Sequence, residues 1–137
     1  MENNTKQARF QFLSYLIDQV SINFTGKQLS KEMEFAINPE GKFNQEEKKF
    51  ELIMSVIVND KEHNMDLNMR IRGFFSYDGD DIGELKSFIG INSPAILFPY
   101  IRSYVTNITA LGGLSPVIMP TLNMKGVGEK LVQSLNL

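Results

Sequence analysis

Few side chains in this 137-residue sequence could do covalent or metal chemistry. His63 is the single histidine, it lies in a polar stretch, and the chain has no cysteine. A catalytic or metal site needs several converging groups, and an isolated loop histidine is more often simply solvated. Ser93 and Ser115 have no histidine near them in the sequence that would activate a hydroxyl as a nucleophile. These residues indicate that the protein is not an enzyme and has no catalytic residues.

Two short motifs match ligand-binding loops only in part. DGDD at 78–81 begins like a calcium loop, but Ile82 and Ile89 stand where oxygen ligands would be required. GVGEK at 126–130 lacks the spacing and the Ser or Thr of a phosphate-binding loop, and no strand precedes it. Turn formation and helix capping explain the first motif, and a flexible helix start explains the second. The sequence therefore predicts no metal site and no cofactor.

Charge and composition restrict the partners of the chain. The 14 Lys and Arg residues against 16 Asp and Glu residues give a formal charge of −2, and no basic stripe marks a nucleic-acid-binding surface. No run of about 18 apolar residues predicts insertion into a membrane. The first ten residues are polar and lack the apolar core of a secretory signal. Together with the absence of cysteine, this predicts a cytoplasmic location.

Alternating apolar residues predict four strands in the first half of the chain. The segments with this period of two are 10–24, 32–38, 48–58 and 65–77. Pro39 and Gly41 bound the second segment, so a short edge or crossover strand is expected there. In the first segment the phenylalanines start on one face, and Tyr15 and Ile17 are predicted on the other. The parity switch near Asp18 predicts a bulge or bend.

Three helices are predicted in the second half. Asp81 and Glu84 fit a capping box that opens a short helix. Ser93 is predicted to be the N-cap of a helix over 94–111, with proline at its first position and a glycine pair as its stop. A last helix is expected at about 126–136, after an extended, proline-containing tail. Strands followed by helices predict an α+β fold, with a four-stranded antiparallel sheet and two main helices on one side.

The segment LFPYIR at 97–102, a glycine pair ten residues later and the proline-containing tail resemble the signature helix of SecB, the bacterial protein-export chaperone family. The predicted strands fall in the order and spacing of the SecB strands. The resemblance covers nearly the whole chain, and the LFPY core is its most specific part. It implies a single SecB-like chaperone domain over residues 1–137.

The resemblance also implies the function and the residues that carry it. SecB proteins are homotetramers, arranged as a dimer of dimers, that hold unfolded polypeptides or preproteins in hydrophobic grooves without ATP. The implied groove residues, all apolar here, are Met33, Phe35, Ile37, Leu122, Met124, Val127 and Leu131. The positions implied to lie at the oligomer interface are Tyr104, Thr106, Asn107 and Ile108.

Delivery of the bound polypeptide to the SecA motor is in doubt. The acidic positions by which SecB proteins contact SecA fall here on Gln19, Asn23 and Asn68, and none of the three is a carboxylate. A contact based on charge attraction would therefore be weakened.

Three functions remain open at this level. The first is an ATP-independent holdase for unfolded clients or preproteins, for example in protein export. The second is a SecB-like chaperone dedicated to one partner, such as an antitoxin. The third is a small-ligand binder or enzyme with a pocket under the sheet. Apolar stripes also commonly close over one another as ordinary core, which would leave no groove at all.

Overall fold

The computed structural model describes residues 8–137. Four antiparallel strands come first along the chain, and helices follow. The strands are β1 (Phe10–Phe24), β2 (Met33–Asn44), β3 (Lys49–Asp60) and β4 (Met65–Tyr77). The helices are α1 (Ile82–Ser87), a π-helical turn (Phe88–Asn92), α2 (Ser93–Leu111) and α3 (Lys125–Leu135). The strand order β1-β4-β3-β2 places β1 and β2 at the two edges of the sheet, and the predicted α+β architecture is confirmed.

One face of the central strands, called the inner face, forms the core with α2. Its buried residues are Phe50, Leu52, Met54, Val56 and Val58 on β3, and Met65, Leu67, Met69, Ile71, Phe75 and Tyr77 on β4. Leu97 of α2 lies directly over Gly73 of β4, where a Cβ would be 3.1 Å from the leucine methyls. Burying one large apolar side chain contributes about 1.5–3 kcal/mol. The core therefore depends mainly on β3, β4 and α2.

β1 contains two bulges, not one. Its register with β4 shifts between Phe12 and Ser14, and again between Ile17 and Gln19. The second shift confirms the predicted bulge near Asp18. The first shift makes the predicted placement of Tyr15 and Ile17 on the opposite face wrong. Each bulge inserts one residue and reverses the parity, so Tyr15 and Ile17 face the inner side like Phe10 and Phe12, whereas Leu16, opposite Arg72, faces the outer side.

β2 is longer than the predicted segment 32–38, because it continues through Pro39 and Gly41 to Asn44. The predicted C-terminal boundary is wrong for a physical reason. β2 pairs only with β3, and proline is tolerated on an edge strand that has one unpaired side. Gly41 has a packing role, since a Cβ at this position would lie 2.8 Å from Cδ1 of Leu131 on α3.

Helical backbone runs without a break from Ile82 to Leu111. Asp81 caps its start, because its Oδ1 accepts from the backbone N–H of Gly83 at 2.9 Å. The predicted N-cap at Ser93 is wrong: this residue is buried within the helical run, and its hydroxyl donates to the Ile89 carbonyl at 2.6 Å. The π-helical turn changes the hydrogen-bond register just before Pro94, which has no N–H to donate.

Residues 112–124, called the connector, join α2 to α3 without regular secondary structure. Gly113 has a φ of +89°, which ends the helical path as predicted. The connector is then fastened to α2 at Val117. Its carbonyl accepts from the Thr106 hydroxyl at 2.9 Å, and its N–H donates to the Thr109 hydroxyl oxygen at 2.9 Å. The connector therefore has a fixed path next to α2.

Helix α3 packs against β2 and against the π-helical turn. Its closest approach to the turn joins two glycines, because a Cβ built on Gly128 would overlap the Gly90 carbonyl oxygen. On the β2 side, Leu131 and Leu135 lie over Gly41. Leu131 is fully buried. Glycines thus allow α3 to approach its neighbours closely on two sides.

The opposite, outer face of the sheet carries an ion-pair network around the second β1 bulge. Arg70 donates to both carboxylate oxygens of Asp18, at 3.0 and 2.7 Å. Arg72 donates to Asp18 at 2.8 Å and to Glu51 at 2.6 Å. The hydrogen bonds from Arg70, and then those from Arg72, hold the pKa of Asp18 well below its ordinary value of 3.8. The network links β1, β4 and β3.

The glycine contact leads to a prediction about stability. Gly128→Ala should destabilise the protein by about 1–3 kcal/mol, because backbone atoms of Gly90 block the added methyl group. Gly126→Ala is the matched control in the same helix, since apart from the adjoining residues and backbone of its own helix nothing lies within 4 Å of its Cβ position. Alanine there should stabilise by up to about 1 kcal/mol. Urea unfolding measures both variants, and equal effects would contradict the close contact.

The Asp18 network predicts a dependence of stability on pH. The folded-state pKa of Asp18 is depressed, so its stabilising effect is present above the unfolded value of 3.8 and is lost as the pH falls below it. Asp18→Asn should therefore lose less stability than the wild type between about pH 5 and pH 3. Urea midpoints at several pH values test this. Glu46→Gln, in the β2–β3 turn, is the control and should follow the wild-type curve.

Candidate peptide-binding surface

The predicted groove residues of β2 form a half-buried apolar row. Met33, Phe35 and Ile37, called the β2 row, alternate with exposed neighbours along the strand. They lie on the inner face. Phe35 pairs with Val58 of β3 and Ile37 pairs with Val56, and both valines are fully buried. The β2 row is therefore the margin of the core, where apolar side chains are partly accessible at a free sheet edge.

The predicted groove residues after α2 differ in their exposure. Leu122 and Met124 of the connector and Val127 of α3 are half-buried against the core, like the β2 row. Leu131 of α3 has no accessible surface, because its side chain packs over Gly41 of β2. In this arrangement Leu131 anchors α3 on β2, and the six other predicted residues keep partial access.

The two parts of the predicted groove lie side by side. Lys130 of α3 donates to the Asn38 side chain of β2 at 3.4 Å, next to the end of the β2 row. Because side chains of α3 also cover Gly41, the helix lies along one end of this strand. The structure thus brings together residues that are about ninety positions apart in the sequence.

A groove of about 400 Å³ adjoins the other end of the β2 row. It lies between the β1–β2 crossover segment 27–33 and the connector. Apolar side chains line it on both sides: Leu29, Met33, Leu114, Val117 and Ile118. Ile118 is 70% exposed. Of these residues the groove set implied by the SecB resemblance included only Met33, and the crossover segment has no apolar periodicity that would have marked Leu29.

The crossover segment is fixed by polar contacts with the β3–β4 hairpin. The buried carboxylate of Asp60 accepts from the N–H of Ser30 at 2.8 Å and from the N–H of Met65 at 2.9 Å. Burial alone would raise the pKa of Asp60, but these backbone donors outweigh burial and hold the pKa below its ordinary value. Asn64 also donates to the Gln28 carbonyl at 2.9 Å. One wall of the groove is therefore rigidly held.

The residues predicted at an oligomer interface lie along the second half of α2. Tyr104 and Ile108 are half-buried against the core, and Asn107 is exposed. The Thr106 hydroxyl is used within the chain, where it donates to the Val117 carbonyl. These four residues therefore do not form one uniform exposed patch on a single copy of the chain.

An exposed apolar surface that the sequence prediction missed lies on β1. Leu16 is 53% exposed, and Leu13 and Tyr15 are also exposed on this edge strand. The centroid of the Tyr15 ring lies 4.3 Å from that of the Tyr100 ring on α2. Leu16 pairs with Arg72 on the outer face and Tyr15 pairs with Gly73 on the inner face, so the exposed side chains lie on both faces of this edge strand.

The three positions that the resemblance implies for SecA contact lie together on the outer face. Gln19 pairs with Arg70, Ser21 with Asn68, and Asn23 with Asp66. The neighbouring carboxylate of Asp18 is held by two arginines. Asp66 contacts the His63 ring at 2.8 Å, and this hydrogen bond raises the histidine pKa. The carboxylates on this part of the sheet are thus engaged in internal contacts.

Among residues 8–137, no cluster of three His, Asp or Glu side chains is arranged to hold a metal ion. Within the same range, no helix is both long and apolar enough to cross a bilayer.

Known proteins resemble the chain both in sequence and in structure. An uncharacterized protein of Methanocaldococcus jannaschii is 34% identical over 96 residues, which are 66% of this chain and 62% of that protein. The protein-export protein SecB of Ehrlichia canis is 28% identical over 69 residues, 44% of this chain and 39% of that protein. The matches thus span about two fifths to three fifths of the length of these relatives.

Two solved structures share the fold. One is the SecB-like chaperone Rv1957 of Mycobacterium tuberculosis, in complex with a ChAD peptide from the HigA1 antitoxin. Its TM-score is 0.70 at 18% identity, and the match covers 83% of this chain and 91% of that one. The other is a protein of unknown function from Streptococcus agalactiae, with a TM-score of 0.52 at 10% identity, covering 82% and 97% of the two chains.

The family profile described as preprotein translocase subunit SecB matches residues 4–134, which include every strand and nearly all of the helical part. This chain belongs to the SecB family.

Proposed function

We propose that the protein is an ATP-independent chaperone that holds unfolded polypeptide on the β2 row and the adjoining connector groove. The observation that carries this proposal is the half-exposed apolar row on an edge strand, next to a groove with apolar walls. An extended peptide could place side chains against the row. Its backbone could also pair with the free edge of β2 by strand addition.

Binding of this kind needs no nucleotide, because burial of apolar surface is favourable by itself. Met33 and Met124 suit varied partners, since an unbranched thioether side chain adapts to different shapes. One such site would give roughly micromolar affinity, about −8 kcal/mol. A long client that reaches several copies of the site in one oligomer would bind more tightly through effective concentration. The cytoplasm is the proposed location.

A homotetramer is the proposed assembly, and two surfaces support it. The solvent side of α2 carries exposed Pro99, Ser103 and Asn107, which allow a second helix to approach closely. The edge strand β1 exposes Leu13 and Leu16. Monomeric proteins seldom leave large apolar side chains exposed together unless the surface binds something.

A chaperone dedicated to one partner is the second candidate. The SecB-like chaperone of Mycobacterium tuberculosis holds an antitoxin peptide, and its fold matches this chain. The outer face here lacks free carboxylates at the three SecA-related positions, so delivery to SecA by charge attraction is not expected. Purification from the native cell separates the candidates: one stoichiometric partner indicates a dedicated chaperone, and a mixture of unfolded chains indicates a general one.

Substitutions in the β2 row test the proposed site. Phe35→Asp should abolish most of the suppression of aggregation of a denatured client, because it puts a charge where apolar contact is needed. Met33→Gln, which keeps the length of the side chain, should weaken suppression about tenfold. Ala36→Asp lies on the opposite face of the same strand and should retain activity. Light scattering at stoichiometric chaperone without nucleotide is the measurement. Folded variants with unchanged suppression would refute the site.

Substitution on the solvent side of α2 tests the assembly. The wild type should have about four times the 15.6 kDa mass of one chain. Asn107→Arg should reduce the mass to that of a smaller species, since it adds a long charged side chain at the proposed contact between dimers. Gln45→Arg, in the exposed β2–β3 turn, is the charge control. Light scattering coupled to size-exclusion chromatography gives the masses, and a wild-type monomer would overturn the proposed tetramer.

A further inference from the structure

A second groove lies on the side of α3 that faces away from β2. Its volume is about 640 Å³. One wall is formed by the end of α1 and the π-helical turn, with Ser87, Gly90 and Ile91. The other wall is α3, with Gly128 and Val132. The groove lies outside the β2 row, and none of the strands contributes to it.

The floor of this groove is narrow and apolar. Gly90 and Gly128 meet there backbone to backbone, and neither residue has a side chain that would fill the groove. A Cβ on Gly90 would lie 3.0 Å from a methyl group of Val132. Ile91 stands at the rim and is 69% exposed. The shape and polarity suit a bulky apolar side chain inserted from outside.

The charged groups at the rim indicate what should accompany that side chain. Lys86 lines one wall and Lys125 lines the other, and neither forms an ion pair with any residue from 8 to 137. Glu129 is the single acidic residue that lines the groove. The rim therefore has a net positive charge, which complements a carboxylate.

The second groove is continuous with the proposed client surface. Met124 lines this groove, and it also belongs to the predicted set of residues after α2. A peptide on the β2 side could therefore cross the N-terminal end of α3 at Met124 and continue into the groove.

We propose that this groove is a second client site, which takes a leucine or phenylalanine side chain from a segment that carries aspartate or glutamate beside it. The inference rests on the proposed chaperone function and adds a preference for acidic flanks. Apolar contact with Ile91 and Val132 supplies affinity. Lys86 and Lys125 supply the preference for acidic flanks. Because both side chains are near the surface, added salt weakens this preference.

Two fluorescein-labelled synthetic peptides test the proposal. They share one central leucine- and phenylalanine-containing segment, which is flanked in one by aspartates and in the other by lysines. By fluorescence anisotropy, the wild type should bind the aspartate-flanked peptide about fivefold more tightly than the lysine-flanked one. Two exposed ion pairs, with Lys86 and Lys125, supply an attraction of this size. The double variant Lys86→Glu with Lys125→Glu should reverse this order. Lys49→Glu, on the outer face at the start of β3, should keep it.

The apolar part is tested with Ile91→Gln, which should weaken the aspartate-flanked peptide about tenfold. Leu111→Gln, at a position 89% exposed at the end of α2, is the matched control and should have no effect. Circular dichroism confirms that each variant is folded. Equal binding of the two peptides by the wild type, or equal behaviour of the two glutamine variants, would overturn the second site.

The same assay separates this inference from the proposed function. If Met33→Gln weakens binding while Ile91→Gln does not, the β2 row remains a client site and the second groove is excluded. If the wild type binds neither peptide and suppresses no aggregation, both proposals are wrong.

Discussion

The position of α3 depends on backbone contact between Gly90 and Gly128. The smallest side chain on Gly128 would overlap the Gly90 carbonyl, and on the other side of the helix Gly41 admits Leu131. With glycine at these positions, α3 fits between the π-helical turn and β2. The same helix therefore forms a wall of the second groove and covers the end of the β2 row. Both proposed client sites depend on one close packing arrangement.

Partial burial of the β2 row is a consequence of how the layers are arranged. The inner faces of β3 and β4 are closed, and Leu97 of α2 lies directly over β4. The edge strand β2 is covered by α3 at Gly41, while the connector lies beside its Met33 end. The β2 row therefore has one side in the core and one side accessible to solvent. Full burial would add stability of the order of 1 kcal/mol for each side chain but would remove the surface that a client needs.

Local patterns predicted the order and type of the elements, because alternation, the Asp81 cap and the glycine pair act within a few residues. The errors came from tertiary context. Ser93 has the appearance of a cap, yet the helical run begins earlier, at Ile82, and is capped by Asp81. Tyr15 changed face because a first bulge preceded the predicted one. Burial of Leu131 and the second groove depend on which glycines touch across the fold, and sequence periodicity does not encode these contacts.

The outer face of the sheet and the groove beside α3 differ in how their charged side chains are used. On the outer face Asp18 accepts three hydrogen bonds from Arg70 and Arg72, so its charge is satisfied within the chain. A basic partner would have to compete with these arginines and would gain little. Around α3, by contrast, Lys86 and Lys125 form no ion pair among the described residues and flank apolar surface. Recognition by charge is therefore expected at the helix groove, where it acts together with apolar burial, and not on the sheet.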